Sequence, residues 1–325
     1  MLPSIGALVA GLVILVWSAD HFVEGASALA KHLGVSSLII GITIIGFGTS
    51  APEILVSVIS VLEQTPDIAI GNALGSNIAN IGLILGITAL ITPVPIAKGL
   101  LSREFPLLLI ATAVMIWFMY DGVLSRLDGG LLLLLLVAIL WFIVRCHRRL
   151  AEQGKDDVPV AEVAHDMSFK AACSWVAVGL ILLVGSSKML VWGATNIAHA
   201  LGISELIIGL TIVALGTSLP ELAASIASLK KDEPDLAIGN VIGSNLFNSL
   251  AVIGIPSVIT SFRIDASAVT RDLPVVTGLT LLLYAMSRFP ISASLKLSRT
   301  KGFFLLACFV IYQLYLYYRV TTGNP

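Results

Sequence analysis

Long apolar stretches separated by short polar segments run through almost the whole chain. A helix that crosses the hydrocarbon core of a bilayer needs roughly 20 mainly apolar residues. By this criterion the sequence predicts ten spanning helices, at about 5–27, 37–62, 70–92, 105–121, 129–146, 171–195, 205–229, 237–260, 272–288 and 302–319. The pattern therefore predicts an all-α integral membrane protein with ten transmembrane helices.

Composition agrees with this prediction and excludes several classes of protein. Hydrophobic residues make up 57% of the chain and charged residues only 12%, about half the charged share of a soluble domain. A net charge of −1 argues against a nucleic-acid partner. The three cysteines are dispersed, so neither a disulfide framework nor a zinc site is expected. No basic segment precedes the first apolar run, so we expect the first helix to be retained rather than cleaved as a signal peptide.

One stretch of the sequence occurs twice. Gly48–Glu53 reads G-T-S-A-P-E and Gly216–Glu221 reads G-T-S-L-P-E; Gly71–Asn80 reads G-N-A-L-G-S-N-I-A-N and Gly239–Asn248 reads G-N-V-I-G-S-N-L-F-N. All matched residues are separated by the same interval. The alignment continues without a gap well beyond both segments, and half of the positions around them are identical. The chain is therefore an internal duplication.

The longest polar interruption, from His147 to Lys170, separates the fifth span from the sixth. We therefore predict a first repeat at 1–146, a linker at 147–170 and a second repeat at 171–325, with five spans in each repeat. An odd number of spans forces the second copy to enter the membrane in the opposite orientation. This is the inverted-repeat architecture of many secondary transporters.

Loop charges predict the orientation of the spans. If the N-terminus is outside, most Lys and Arg residues fall on the cytoplasmic side, together with the 147–170 linker. We accordingly expect a multi-pass protein of the cell inner (plasma) membrane with both termini periplasmic or extracellular.

The duplicated segments carry oxygen-bearing side chains on two neighbouring spans. Thr49, Ser50 and Glu53 share one face of the second span, because residues three and four apart are neighbours on a helix. The third span carries a second polar stripe at four-residue spacing, formed by Asn72, Ser76 and Asn80. The equivalents in the second copy are Thr217, Ser218, Glu221, Asn240, Ser244 and Asn248.

Pro52 predicts a broken or loosened helix within the second span. Proline donates no backbone hydrogen bond and clashes with the carbonyl four residues earlier, that of Gly48. Unpaired carbonyls near Gly46 and Phe47 then become candidate ligands. Irregular backbone at membrane depth is tolerated only where it is buried in protein or lines a wet cavity.

Glu53 and Glu221 indicate the function of these polar stripes. A carboxylate near the bilayer centre costs at least about 2.5 kcal/mol on insertion scales, so it indicates a functional site. No Lys or Arg lies nearby on the same spans, so protons or metal cations must neutralise the two acids. The surrounding donors are all oxygens, which suit calcium, whereas transition metals favour His or Cys. The same oxygens, regrouped, can hold several sodium ions. Asn80 and Asn248 add polarity without charge.

With these boxes the sequence resembles the calcium/cation antiporter superfamily, the sodium/calcium exchangers, and within it the bacterial YrbG-type branch. The signature of that superfamily is a G-T-S-x-P-E box followed by a G-N-x-x-G-S-N-x-x-N/D box, both in each of two inverted repeats. The boxes occur here twice, in the right order, and the resemblance covers nearly the whole chain.

The resemblance implies four ion sites in a diamond between the second, third, seventh and eighth spans. Calcium would lie centrally between Glu53 and Glu221, helped by carbonyls near Thr49 and Thr217. Sodium would use the same glutamates together with the hydroxyls of Ser50, Ser218, Ser76 and Ser244 and the carbonyls of Gly46 and Ala214. In this family, alternating access is attributed to sliding of the first and sixth spans across a rigid core.

Asn248 stands where potassium-dependent relatives carry Asp, which argues against potassium transport. The 147–170 linker is too short for the large regulatory calcium-binding domains of animal exchangers.

The sequence thus predicts an antiporter that moves calcium outward against inward sodium. The transported ions are its substrates, and neither a cofactor nor an obligatory protein partner is expected. Calcium/proton exchange is the nearest alternative. A cation channel is disfavoured because a central site with two acids binds tightly and slows exit. An enzyme is disfavoured because the repeats hold no nucleophile–base pair.

Overall fold

The computed structural model of the protein describes residues 2–153, 167–201, 214–288 and 295–322. The helices, in chain order, are α1 (Leu2–Leu33), α2 (Ser37–Thr49), α3 (Ala51–Leu62), α4 (Pro66–Ile91), α5 (Gly99–Met119), α6 (Arg126–Glu152), α7 (Phe169–Ala200), α8 (Ala214–Thr217), α9 (Leu219–Lys230), α10 (Pro234–Ile259), α11 (Ala268–Arg288) and α12 (Arg299–Thr322). Four two-residue strands lie in the connections between some of these helices: β1 (Val94–Pro95), β2 (Val123–Leu124), β3 (Phe262–Arg263) and β4 (Lys296–Leu297).

Within these residues, eight helices are long and apolar enough to cross a membrane, and the bent pair α2–α3 raises the number to nine. The predicted seventh span, 205–229, is described only in its second part, as α8 and α9; positions 205–213 lie outside the described residues, as do 154–166 of the linker. The helical fold class is confirmed. The tenth span and the inversion of the repeats stay predictions.

Two of the spans are longer than their apolar patterns suggested. Both α1 and α7 run for 32 residues, whereas the sequence predicted 5–27 and 171–195. Helical geometry continues past the polar residues near their ends. Helix α1 ends before Gly34, whose φ of 63° lies in the left-handed region that favours glycine after a helix.

The two halves pack through reciprocal contacts. Strand β1 pairs with β4, and β3, its counterpart in the second repeat, pairs with β2. Helices α1 and α7 pack closely along their length, and a Cβ added at Gly25 or Gly179 would lie 2.8 Å from Trp175 or Phe22 on the other helix. Such paired close approaches through small residues are typical of membrane helices.

Helix α10 is the most central element: all of its most apolar 18-residue window is buried within the protein, compared with 28% of the corresponding windows of α1 and α7. It packs against α2 and α9, and α4 packs against α3 and α8. The four segments with the duplicated boxes are therefore neighbours in the interior, and α1 and α7 lie outside them.

Candidate cation site

The candidate site is built on two matched breaks in the helices. The chain bends by 40° between α2 and α3, at Ser50, and is interrupted between α8 and α9 at Ser218. Both serines adopt the sparsely populated bridge conformation, with φ −83° and ψ 0° at Ser50 and φ −91° and ψ 3° at Ser218. Pro52 and Pro220 follow in the first turns of α3 and α9, where a missing N–H costs nothing because it has no helical acceptor. The helix break that Pro52 predicts is thus present, and it lies at Ser50, four residues after Gly46.

The carbonyl of Gly46 is not unpaired, which corrects one expectation. It accepts a hydrogen bond of 3.2 Å from the Ser50 amide, because helical geometry persists through Thr49. A carbonyl oxygen has two lone pairs, so Gly46 retains one for a further partner. In the second copy the Ser218 amide donates instead to Leu215, over 3.2 Å, and Ala214 is the first residue of α8.

Glu53 and Glu221 lie in the first turns of α3 and α9, each 1% exposed. The segments that carry them are linked through Asn240, which accepts a hydrogen bond from Thr49 and donates one to the Glu221 carbonyl. Among the described residues, no ion pair involves either acid, and three of their four carboxylate oxygens have no hydrogen-bond partner. The N-terminal end of each helix partly stabilises its carboxylate. Two buried negative groups without a protein cation form a site that needs positive charge.

Neutral polar groups without partners lie on the segments that carry the acids and on the helices that pack against those segments. Among the described residues, the buried polar side chains that lack a hydrogen bond include those of Ser50, Ser218, Asn80 and Asn248. Buried polar groups are normally paired, since leaving them unpaired costs roughly 1–3 kcal/mol each. Unpaired oxygens on the same and adjacent segments as two buried acids are what a cage for hard cations requires.

Asn80 and Asn248 occupy matched backbone positions. The turn Ala79–Ile84 of α4 and the turn Asn248–Val252 of α10 are both π-helical. Such wide turns occur mostly as single interruptions of α-helices at functional sites. They re-aim the amides relative to the preceding serines, a change that the four-residue spacing did not predict.

A hydrogen-bond network joins the two halves across the site. The Thr49 hydroxyl donates to Asn240 Oδ1 over 3.1 Å and lies 3.3 Å from Ser244 Oγ. Thr49 and Ser244 are buried. This hydroxyl ties the first-half break to α10, and Asn240 on α10 in turn donates to the backbone carbonyl of Glu221.

Two asparagines hold the broken spans in place, and the sequence analysis did not assign them this role. Asn72 donates to the Glu53 carbonyl (2.9 Å) and to Ser57 (3.1 Å). Asn240 makes the equivalent bonds to the Glu221 carbonyl (3.2 Å) and to Ser225 (3.1 Å). The serines are identical in both copies and follow the acids by one helical turn, which was the signal available in the sequence. Two further predicted residues lie on the same segments. Ser76 is buried on α4, and Thr217 is half-buried at the end of α8.

Comparison with known proteins gives consistent matches over the full length. The chain matches the family model described as sodium/calcium exchanger protein over residues 3–145 and 172–318. It is 44% identical to CaxA of Alkalimonas amylolytica, which is named as a candidate antiporter, over 94% of this chain and 96% of that protein. It is 41% identical to the inner membrane protein YrbG of Escherichia coli K12, over 98% of each. The solved structure of the sodium-calcium exchanger NCX_Mj superposes with a TM-score of 0.82 at 33% identity, over 96% of this chain and 98% of that one.

Proposed function

The chain belongs to the sodium/calcium exchanger protein family, and we propose that it is a secondary antiporter that moves calcium out of the cell against inward sodium by alternating access. It is a multi-pass membrane transporter and not an enzyme, since its family is one of exchangers. The proposal is carried by one observation: the buried acids Glu53 and Glu221 directly follow matched helix breaks, and the same and adjacent segments hold unpaired neutral oxygens.

Calcium and sodium would share the two acids, and this sharing accounts for the exchange of one ion for the other. In the proposed arrangement Ca²⁺ lies between Glu53 and Glu221, where two negative charges balance one divalent ion. Sodium ions use the same carboxylates with the hydroxyls of Ser50 and Ser218 and the Ser76 and Ser244 side chains on α4 and α10. Both cargoes cannot be bound at once, because each needs the same charges.

The same charges account for coupling. Without a cation, two carboxylates remain in a low-dielectric interior, and rearrangement of the site around them is costly. Loaded with Ca²⁺ or sodium, the site carries little net charge and can change its access from one side to the other. We assign this change to movement of α1 and α7, the outer helices that pack on each other.

Sodium is preferred to protons as the coupling ion because of the hydroxyls. A proton needs only the two carboxylates, whereas a sodium ion needs several neutral oxygens in addition. The unpaired Ser50 and Ser218 hydroxyls beside the acids supply such oxygens. The amide at Asn248 supports potassium independence.

Calcium-45 uptake into sodium-loaded proteoliposomes, at matched internal and external pH, tests the proposal. Uptake should collapse when internal sodium is replaced by choline, and potassium should not substitute. Uptake that ignores sodium but follows an imposed pH gradient would instead establish calcium/proton exchange. Flux that needs no counter-ion at all would identify a channel.

The proposal includes ten spans in two inverted repeats, with both termini outside and the linker cytoplasmic. The reciprocal strand pairing of the two halves supports it. Arg126 and Arg148 lie near opposite ends of α6. In a chain whose native cysteines are replaced, a membrane-impermeant thiol reagent added outside intact cells should label Arg126→Cys and spare Arg148→Cys. The reverse labelling would overturn the orientation.

A further inference from the structure

A cavity of about 580 Å³ lies between α7 and both helix breaks. Its inner wall includes Pro52, Thr217 and Pro220; the two prolines directly precede Glu53 and Glu221. The wall on α7 includes Val184 and Trp192, and most of the lining is apolar. The cavity thus reaches the residue that directly precedes each acid of the candidate cation site in the sequence.

Lys188 is the one ionisable residue among those that line this cavity within the described part of the chain. It lies about 5 Å along the axis from the middle of the 32-residue α7, at 1.5 Å per residue. A lysine at such depth costs about 2.5–3.5 kcal/mol on insertion scales and indicates a functional role. Its side chain is exposed to the cavity, and the described residues offer it no hydrogen bond or ion pair.

The fold itself does not require a cation at this position. The equivalent residue on α1 is Asp20, which lines a smaller cavity of about 200 Å³ that reaches Leu219 beside the second helix break. The smaller cavity is lined by Lys230 as well as Asp20, so its lining holds one acid and one base, whereas Lys188 has no acidic counterpart among the described residues that line the larger cavity. The two copies therefore differ in charge at this equivalent position, with a carboxylate at Asp20 and an ammonium at Lys188. A role in helix packing alone does not explain this difference.

We propose that Lys188 lowers the affinity of the acid pair for each cation that it holds, and lowers it more for one Ca²⁺ than for one Na⁺. The inference rests on the proposed function and deepens it. The ammonium repels any cation held by Glu53 and Glu221, and it repels a divalent ion twice as strongly as a monovalent one. Calcium held by two carboxylates would otherwise leave slowly, so the repulsion favours its release during the cycle.

The expected size follows from the dimensions of the cavity. A volume of 580 Å³ corresponds to a width of about 10 Å. With this width taken as the separation of the ammonium from the bound ion, and with an effective dielectric constant between 20 and 80, the repulsion weakens binding of a monovalent ion by roughly 2-fold to 15-fold. For a divalent ion the factor is the square, roughly 4-fold to 200-fold.

Calorimetric titration of the purified full-length protein with CaCl₂, and separately with NaCl, tests the inference. Lys188→Gln should lower the Kd for both ions. The factor for calcium should be the square of the factor for sodium. Lys188→Arg keeps the charge and should match the wild type. Val184→Ala, an uncharged change in the same cavity wall, should shift neither constant in this charge-dependent ratio.

Unchanged constants in Lys188→Gln, equal factors for the two ions, or an arginine variant that behaves like the glutamine variant would each overturn the inference. Failure of the proposed function is recognised separately, because it shows in the wild type as calcium uptake that does not depend on sodium. A wild type with sodium-dependent uptake and a glutamine variant with unaltered binding would refute the role of Lys188 alone.

Discussion

Substitution of Gly243 by alanine tests whether the close crossing of α2 and α10 holds the cation site together. A Cβ at Gly243 would overlap the carbonyl oxygen of Ile42 and lie 2.7 Å from its Cα. Ordinary contacts begin at 3.4 Å, so the backbones must separate by at least about 0.7 Å. Neither atom belongs to a flexible side chain, and the strain therefore cannot be relieved by a rotamer change.

This separation acts directly on the network between the halves. The bonds from Thr49 to Asn240 (3.1 Å) and Ser244 (3.3 Å) would stretch to about 3.8 and 4.0 Å, beyond hydrogen-bonding distance. Overpacking costs about 1–3 kcal/mol, and each interhelical hydrogen bond in a membrane contributes about 0.6 kcal/mol. The expected loss of stability is therefore about 2–4 kcal/mol.

The assay is thermal unfolding of the purified protein, combined with calcium-45 uptake at equal protein density. We expect Gly243→Ala to lower the midpoint by at least about 5 °C and to reduce uptake more than tenfold, because the Thr49 hydroxyl no longer reaches α10. Gly185→Ala on α7 is the matched control, since a Cβ there meets no atom within 4 Å. Wild-type stability and uptake in Gly243→Ala would refute the argument that this crossing positions the site.

Three further predictions concern the site itself. Glu53→Gln or Glu221→Gln alone should abolish calcium-45 exchange in a protein that still elutes as a single folded species, because one remaining carboxylate no longer balances a divalent ion; wild-type flux in either variant would disprove the assigned site. Asn240→Ala should destabilise the protein more than Asn72→Ala in thermal unfolding, by about 0.6 kcal/mol, because Asn240 has the additional bond to Thr49; equal melting shifts would contradict this assignment. Asn248→Asp adds a negative charge beside the acids and should change the dependence of calcium uptake on sodium and potassium, and an unchanged ion dependence would remove the argument from this position.

Much of the architecture was predictable because it depends on composition and local stereochemistry. Apolar length alone predicts spans, since the bilayer core has a fixed thickness. The paired boxes predicted the helix breaks, because a proline cannot continue the hydrogen bonding of the preceding turn. Glu53 and Glu221 stood out because buried acids are costly wherever the helices pack.

Other features depend on which surfaces meet in space, and a single sequence does not contain that information. The π-helical turns that place Asn80 and Asn248 arise within stretches whose spacing reads as ordinary helix. In the sequence Asn72 and Asn240 are only members of two polar stripes, whereas in the structure their amide groups hold the backbone at Glu53 and Glu221.

By itself, the sequence determined that this protein is helical, duplicated and built around two buried acids, because hydrophobicity, proline stereochemistry and charge act locally along the chain. Only the tertiary structure decided that Thr49 reaches across to α10, that Gly46 and Gly243 set the distance between the halves, and that Lys188 faces a cavity beside the acids. Those relations are distances between residues far apart in the chain. They arise from the packing of whole helices, where close approach of two backbones fixes which polar groups can touch.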